Sequence, residues 1–252
     1  MTGREIRESC SSGPVPLWTH PEWADRWPWL AQGTTGRGEA PDEWDLGLSG
    51  AQPVGPLLGR WRRLREELGF ASATHARQVH GADVFAHETP PPPGLLVMEG
   101  YDGHLAPLPG LLLTVSVADC TPVFVVDAPT RTVVLLHAGW RGTAAGIVER
   151  VLAMLHGRRA DREVWLHCGP AICGGCYEVG PEVHAGVNPD QPVPEAPAPI
   201  DLRTAIARRA KGCGVPAERI TRSTHCTRCG PGAFFSHRAG SAGRQMALLG
   251  VR

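Results

Sequence analysis

Charge of one sign is missing from this chain: 25 Lys and Arg balance 25 Asp and Glu, and the formal net charge is zero. Nucleic-acid surfaces ordinarily show as a basic excess, so no nucleic-acid partner is expected. Lysine is almost absent; Lys211 is the single one, a bias that reads as base composition of the gene. No run of 18 apolar residues occurs, so no membrane-spanning segment is expected. The N-terminal stretch MTGREIRESCSSG lacks an apolar h-region, hence no signal peptide is expected and the default setting is cytoplasmic and reducing. The eight cysteines then read as thiols or metal ligands before disulfides. There is no internal repeat.

What is present is glycine and proline, 31 and 24 residues, together about a fifth of the chain against an average of roughly 12%. Such a chain is rich in loops, which argues against a coiled coil or a helical bundle. With 42% apolar residues, a chain of 252 residues can still bury a proper core. Six of the eight tryptophans (Trp18, Trp23, Trp27, Trp29, Trp44, Trp61) fall within the first 61 residues, among prolines and glycines. Residues 1–56 therefore read as an irregular segment whose aromatics pack on a body, residues 57–252. Leu57, Trp61, Leu64 and Leu68 have helical spacing, with a stop at Gly69.

The runs 111–118, 122–127, 132–137 and 163–168 are short, apolar and β-branched, and read as buried strands. A last strand is expected over 245–251. Helices are expected over 142–156 and, behind an Asp201 N-cap, over 202–211. Strands alternating with helices indicate an α/β fold, and the hairpin-like spacing of 111–137 indicates a mixed sheet.

Three motifs carry chemistry: Gln78-Val79-His80-Gly81, Ala118-Asp119-Cys120-Thr121-Pro122 and His137-Ala138-Gly139-Trp140-Arg141-Gly142. Each sets a soft or borderline ligand at the end of a predicted strand. A thiolate and two imidazoles suit Zn²⁺, and three protein ligands with a fourth position open are the pattern of a catalytic zinc. The same residues also suit a metal-free cysteine hydrolase, with Cys120 as nucleophile and His137 or His80 as base. Spacing alone does not separate these readings from a buried Cys120 and two hydrogen-bonded histidines. Arg141 precedes a predicted helix start and is a candidate anion-binding residue. Cys173-Gly-Gly-Cys176 and Cys226-Thr-Arg-Cys229 imitate a four-Cys zinc ribbon, but 49 residues separate them where such ribbons use 15–20. No second zinc and no obligatory disulfide is expected there.

The set QVHG, ADCTPV, HAGWRGT, GPAICGGCYEVG, DLRTA, CTRCGPGAFFSHR and AGRQMA, in this order, resembles the YfiH family, also called the multicopper polyphenol oxidase or laccase-domain family. The resemblance spans roughly residues 73–251. It implies an α/β fold with mixed sheets and a zinc held by His80, Cys120 and His137. It implies phosphorolysis of adenosine or inosine with phosphate as co-substrate, and adenosine deamination as a further activity. Hydrolysis of mis-made peptidoglycan precursors is another role it implies. Copper oxidation ranks last, because a type-1 site with a trinuclear cluster needs many more closely spaced histidines. A non-enzymatic binding protein on the same scaffold is the remaining alternative.

By the same resemblance Asp102, in Tyr101-Asp102-Gly103, matches a family aspartate that would contact substrate or orient a metal-ligating histidine. Arg238, in Ser236-His237-Arg238, matches a Ser-Tyr-Arg run and is a substrate-contact candidate. Arg37, in the turn Thr34–Gly38, is another. The sequence departs from the family at Trp44-Asp45-Leu46-Gly47, where members carry Asn-Leu-Gly, and at Arg60-Trp61, where they carry Asn-Arg. The departures bear on substrate identity more than on the metal.

Overall fold

A computed structural model describes residues 2–39, 43–50, 52–157 and 163–252. Among these residues lie two seven-stranded mixed sheets, packed face to face, with helices on the outer face of each. The first sheet runs in the order Arg4–Ile6, Ile220–Ser223, Val164–Cys168, Thr121–Asp127, Thr132–Ala138, Gly103–Ala106, Val84–Ala86. The second runs Ser9–Cys10, Leu17–Thr19, Leu30–Thr35, Gln245–Val251, Leu111–Val117, Ser72–Arg77, Gly94–Glu99.

The period-2 alternation of a strand decides this layering. In the hairpin 121–138, Phe124, Val126, Val133 and Leu135 point between the sheets, where they meet Leu111, Leu113, Val115, Leu249 and Val251. Their neighbours Val123, Val125, Val134 and Leu136 point the other way, onto the helices Ile147–His156 and Leu202–Gly212. On the far side of the second sheet, Leu112, Met246 and Leu248 receive Leu57, Trp61 and Leu64 of the helix Val54–Leu68. Strands buried on both faces are why these sequences read as continuous apolar runs.

Every expected strand is present. The expected helix after Asp201 is capped by that side chain, which accepts from the Arg203 and Thr204 N–H groups. The helix Val54–Leu68 ends at Gly69, whose φ of 78° is the left-handed stop. Three expectations need correction. The helix expected over 142–156 is two, Trp140–Ala144 and Ile147–His156, because Gly146 turns left-handed (φ 79°) between them. Only 121–138 is a hairpin: Leu111–Val117 belongs to the other sheet, so the chain changes sheets at Ala118-Asp119-Cys120. And residues 1–56 do not form an irregular appendage. Leu30–Thr35 pairs with Gln245–Val251 inside the second sheet, Arg4–Ile6 pairs with Ile220–Ser223 in the first, and the helix Val54–Leu68 crosses the expected boundary. The early tryptophans do pack as expected: Trp23, Trp27, Trp44 and Trp61 are buried.

Candidate active site

The site lies where the chain passes from one sheet to the other. The hairpin register sets Thr121 opposite Ala138 and Pro122 opposite His137. Cys120, one residue before its strand, therefore stands beside the end of the strand that carries His137. The loop after Ser72–Arg77 brings His80 to the same point. One ligand atom from each of His80, Cys120 and His137 lies within 4.8 Å of the other two. The two rings stand nearly perpendicular, 4.8 Å between centroids.

The glycines of His137–Gly142 are explained by this approach. A Cβ on Gly139 would come within 3.0 Å of the Cys120 Sγ and 3.3 Å of the His80 ring. One on Gly142 would sit 2.6 Å from the Gly81 carbonyl oxygen. His80 and Asp119 both take positive φ, 60° and 90°, a conformation that costs a non-glycine residue of order 1 kcal/mol and is held only by its surroundings.

Asp119 is held by Thr227 and the Arg238 N–H, and His80 by Asp102. Asp102 is fully buried and accepts from three successive backbone N–H groups, those of Val79 (3.1 Å), His80 (2.9 Å) and Gly81 (2.7 Å). It also accepts from His137 Nδ1 at 2.8 Å. One carboxylate thus fixes the loop that carries one imidazole and the tautomer of the other, leaving His137 Nε2 for Cys120. Burial alone would raise the Asp102 carboxyl, but these donors hold it below the usual carboxylate range. Burial likewise opposes charge on Cys120 and His137. The charge of His137 and hydrogen bonds from His137 and His80 outweigh it and bring the thiol down to about 6. The Cys120 charge and the bond to Asp102 carry His137 up to about 9. The two opposed shifts each favour the charged form of the partner, which marks the site as chemically poised.

The donor set of one thiolate and two imidazoles, with a carboxylate behind one ring, fits a borderline-soft divalent metal with a fourth position open. The three side chains form part of the lining of a cavity of about 590 Å³. Arg141 and Arg238 reach the same cavity. Arg141 lies over the Trp140 ring, 4.4 Å from its centroid, and has no carboxylate partner among the described residues. Its helix is five residues long, so the anion attraction expected of a helix start reduces to the guanidinium itself. Arg238 has its N–H bonded to Asp119 Oδ2 at 2.7 Å and its guanidinium 5.1 Å from the Tyr177 ring.

Two predicted substrate residues are placed elsewhere. Asp102 has no exposed surface and serves the loop and His137. Arg37 is outside the cavity lining: its Nε donates to Glu43 at 2.7 Å and its guanidinium covers Phe235. Conversely, Tyr177 is half-buried on the cavity wall, and Asp45, Ser49 and Arg244 join it there. The departing stretch Trp44–Arg60 does build this wall. Arg60 Nε donates to the Asp45 carbonyl (2.8 Å) and the buried Trp61 Nε1 to that of Leu46 (3.1 Å), so the helix Val54–Leu68 presses the 45–50 loop against the cavity.

Fold and site together define a two-sheet α/β protein with a His-Cys-His set able to hold a metal ion in the lining of a cavity, His137 buried and His80 exposed. A model of the multi-copper polyphenol oxidoreductase laccase family matches residues 43–252, and the chain belongs to that family. It is 34% identical over 238 residues to the purine nucleoside phosphorylase YlmD of Geobacillus stearothermophilus, covering 82% of this chain and 83% of that protein. It is 39% identical over 152 residues to adenosine deaminase RL5, from an unknown prokaryotic organism, covering 56% and 58% respectively. The crystal structure of YlmD superposes with a TM-score of 0.88 at 28% identity, over 97% of this chain and 99% of that one.

Proposed function

We propose that this chain is a zinc-dependent purine nucleoside phosphorylase, cleaving adenosine or inosine with inorganic phosphate. The observation that carries the reading is the convergence, in one cavity, of the His80–Cys120–His137 set and the Arg141 guanidinium, which has no carboxylate partner among the described residues. The substrate class rests on the relatives, several of which are named purine nucleoside phosphorylases.

In phosphorolysis a phosphate oxygen bonds to ribose C1′ while the bond from C1′ to the purine nitrogen breaks. The bonding electrons leave with the base, which takes a proton and departs as free purine. Arg141 and Arg238, in the same cavity lining, supply positive charge to a dianion that would otherwise be repelled by a Cys120 thiolate. Asp102 keeps the His137 proton on Nδ1, so that Nε2 and the Cys120 sulfur face each other and the His80 ring. Tyr177 and the 45–50 loop form walls of the cavity against which a nucleoside would lie. Zinc on these three residues would supply a positive centre with an open position for an oxygen ligand.

The RL5 relative supports adenosine deamination as a second activity of the same cavity. Incubation of zinc-replete protein with inosine or adenosine, with and without phosphate, followed by chromatography of the bases, tests the reading. Free base formed only with phosphate, and lost in His137→Ala, is expected. Base release that ignores phosphate would make the protein a hydrolase. No turnover of any purine nucleoside would reject the substrate class.

A further inference from the structure

Away from the cavity lining, four sulfurs meet. One Sγ each from Cys173, Cys176, Cys226 and Cys229 lies within 4.8 Å of the other three. The 49 residues between the two pairs argue against a zinc ribbon in the linear sequence. The fold removes that objection: Ala171 and Cys226 form a parallel β-bridge, and the Thr227 N–H donates to the Ala171 carbonyl at 3.2 Å. The two C-x-x-C turns are thus laid side by side.

Each turn is built to present its sulfurs. In the first, the Cys176 N–H returns to the Cys173 carbonyl at 3.0 Å, closing a single 3₁₀ turn over Gly174–Cys176. In the second, the Gly230 N–H returns to the Cys226 carbonyl at 3.1 Å, and a Cβ on Gly230 would collide with that same oxygen. The Cys226 sulfur accepts two backbone N–H groups, from Cys173 at 3.3 Å and Cys229 at 3.4 Å. Such donors stabilise a thiolate, and one of them comes from the opposite turn. Cys173 and Cys229 lie 3.8 Å apart, sulfur to sulfur. A tetrahedral ZnS₄ centre with bonds of about 2.3 Å places its sulfurs about 3.8 Å apart. A disulfide would need about 2.05 Å, and all four cysteines are free thiols.

We infer that these four cysteines hold a second, structural zinc ion as a closed tetrathiolate. Four thiolates with no imidazole or carboxylate select a soft tetrahedral metal, and a site with no ligand position left open is structural rather than catalytic. On binding, each thiol gives its proton to solvent as its sulfur takes the metal, so the ion replaces the thiol protons without any redox change. The clamp lies behind the cavity. The residue before Cys173, Ile172, donates its N–H to the Asp119 carbonyl (3.1 Å), the residue after Cys226, Thr227, gives its hydroxyl to Asp119 Oδ1 (2.6 Å), and the residue after Cys176 is Tyr177. The metal therefore fastens the segments that hold Asp119 beside Cys120 and set one wall of the site. This inference does not depend on the reaction proposed for the cavity.

The test is zinc content by mass spectrometry of the protein, purified anaerobically without chelator, as wild type, Cys120→Ala and the double variant Cys176→Ala/Cys229→Ala. Two zinc ions per chain are expected in the wild type and one in each variant. The pocket ion retained by the double variant reports that it has folded. Cobalt loaded into Cys120→Ala should give the intense visible absorption of a tetrahedral tetrathiolate. A wild type with one zinc that the double variant keeps would overturn the inference. So would iron in the thiolate site, or an intact mass lower by two hydrogens for each disulfide formed among these cysteines.

Discussion

Asp102 shows how much of a site can hang on a residue that never meets the substrate. Its carboxylate takes three backbone N–H groups and the His137 Nδ1, and an amide cannot reproduce that acceptor set. Asp102→Asn should weaken metal binding by about 10–100-fold, measured by competition with a chromophoric chelator, because it releases both a ligand loop and a ligand ring. Unchanged affinity would make Asp102 a purely structural aspartate. Acid sensitivity also belongs to single residues. His20 is buried, its Nδ1 accepts the Trp23 N–H that opens the helix Pro21–Arg26, and burial first, then the charge of His167, pushes its pKa down to about 2. Below about pH 6.5 the unfolded chain binds a proton there that the folded chain refuses, so stability falls as pH falls. At pH 5 this one ring costs about 2 kcal/mol. His20→Asn keeps a capping acceptor without the titration, and its urea midpoint should fall less steeply from pH 7 to 5 than that of the wild type.

At the scale of elements, the hairpin 121–138 and the loop 78–81 form the site by close approach, and glycine permits it. Gly142→Ala drives a methyl toward the Gly81 carbonyl, 2.6 Å away. We expect it to cost about 1–3 kcal/mol in urea unfolding and to lower turnover by displacing His80, whereas Gly175→Ala, with open space around its Cβ position, should leave the pocket metal untouched. These elements also mark what the sequence could express. The strands at 111–117, 121–127 and 132–138 were legible because burial on both faces makes them unbroken apolar runs, and Cys120 and His137 because they border such runs; His80 follows the polar strand Ser72–Arg77 and stood out only through its motif. The change of sheet at Asp119 was not legible, since a corner between sheets and a hairpin turn need the same short polar break. Asp102 was visible only as a resemblance with two roles, because its role depends on three N–H groups more than twenty residues away. Arg37 looked available in a glycine-rich turn; Glu43 and Phe235 occupy it. The four cysteines were judged by separation along the chain, which a β-bridge at Ala171 makes irrelevant.

At the scale of the whole molecule, pairing ties the two ends of the described chain together. The N-terminal strand Leu30–Thr35 is hydrogen-bonded to the C-terminal strand Gln245–Val251, and Glu8 is buried against His167 and Ser223 of the first sheet. Deleting residues 1–53 should therefore abolish folding rather than yield a trimmed catalytic body, and circular dichroism of the truncated chain checks this. The two sheets share one apolar interface, so Leu135→Ala, at its centre, should lower stability by about 3 kcal/mol while the unfolding transition stays single. A biphasic transition would mean that the sheets unfold separately. This scaffold, in the laccase-named family, is proposed to cleave a nucleoside by phosphorolysis, the ribosyl group passing from the base to an oxygen of inorganic phosphate. Phosphorus NMR of the zinc-loaded protein with inosine and inorganic phosphate tests it most directly. The account predicts that the phosphate resonance declines and a ribose 1-phosphate resonance grows in step with free hypoxanthine. An unchanged phosphate resonance while hypoxanthine accumulates, or no change in either, would contradict it.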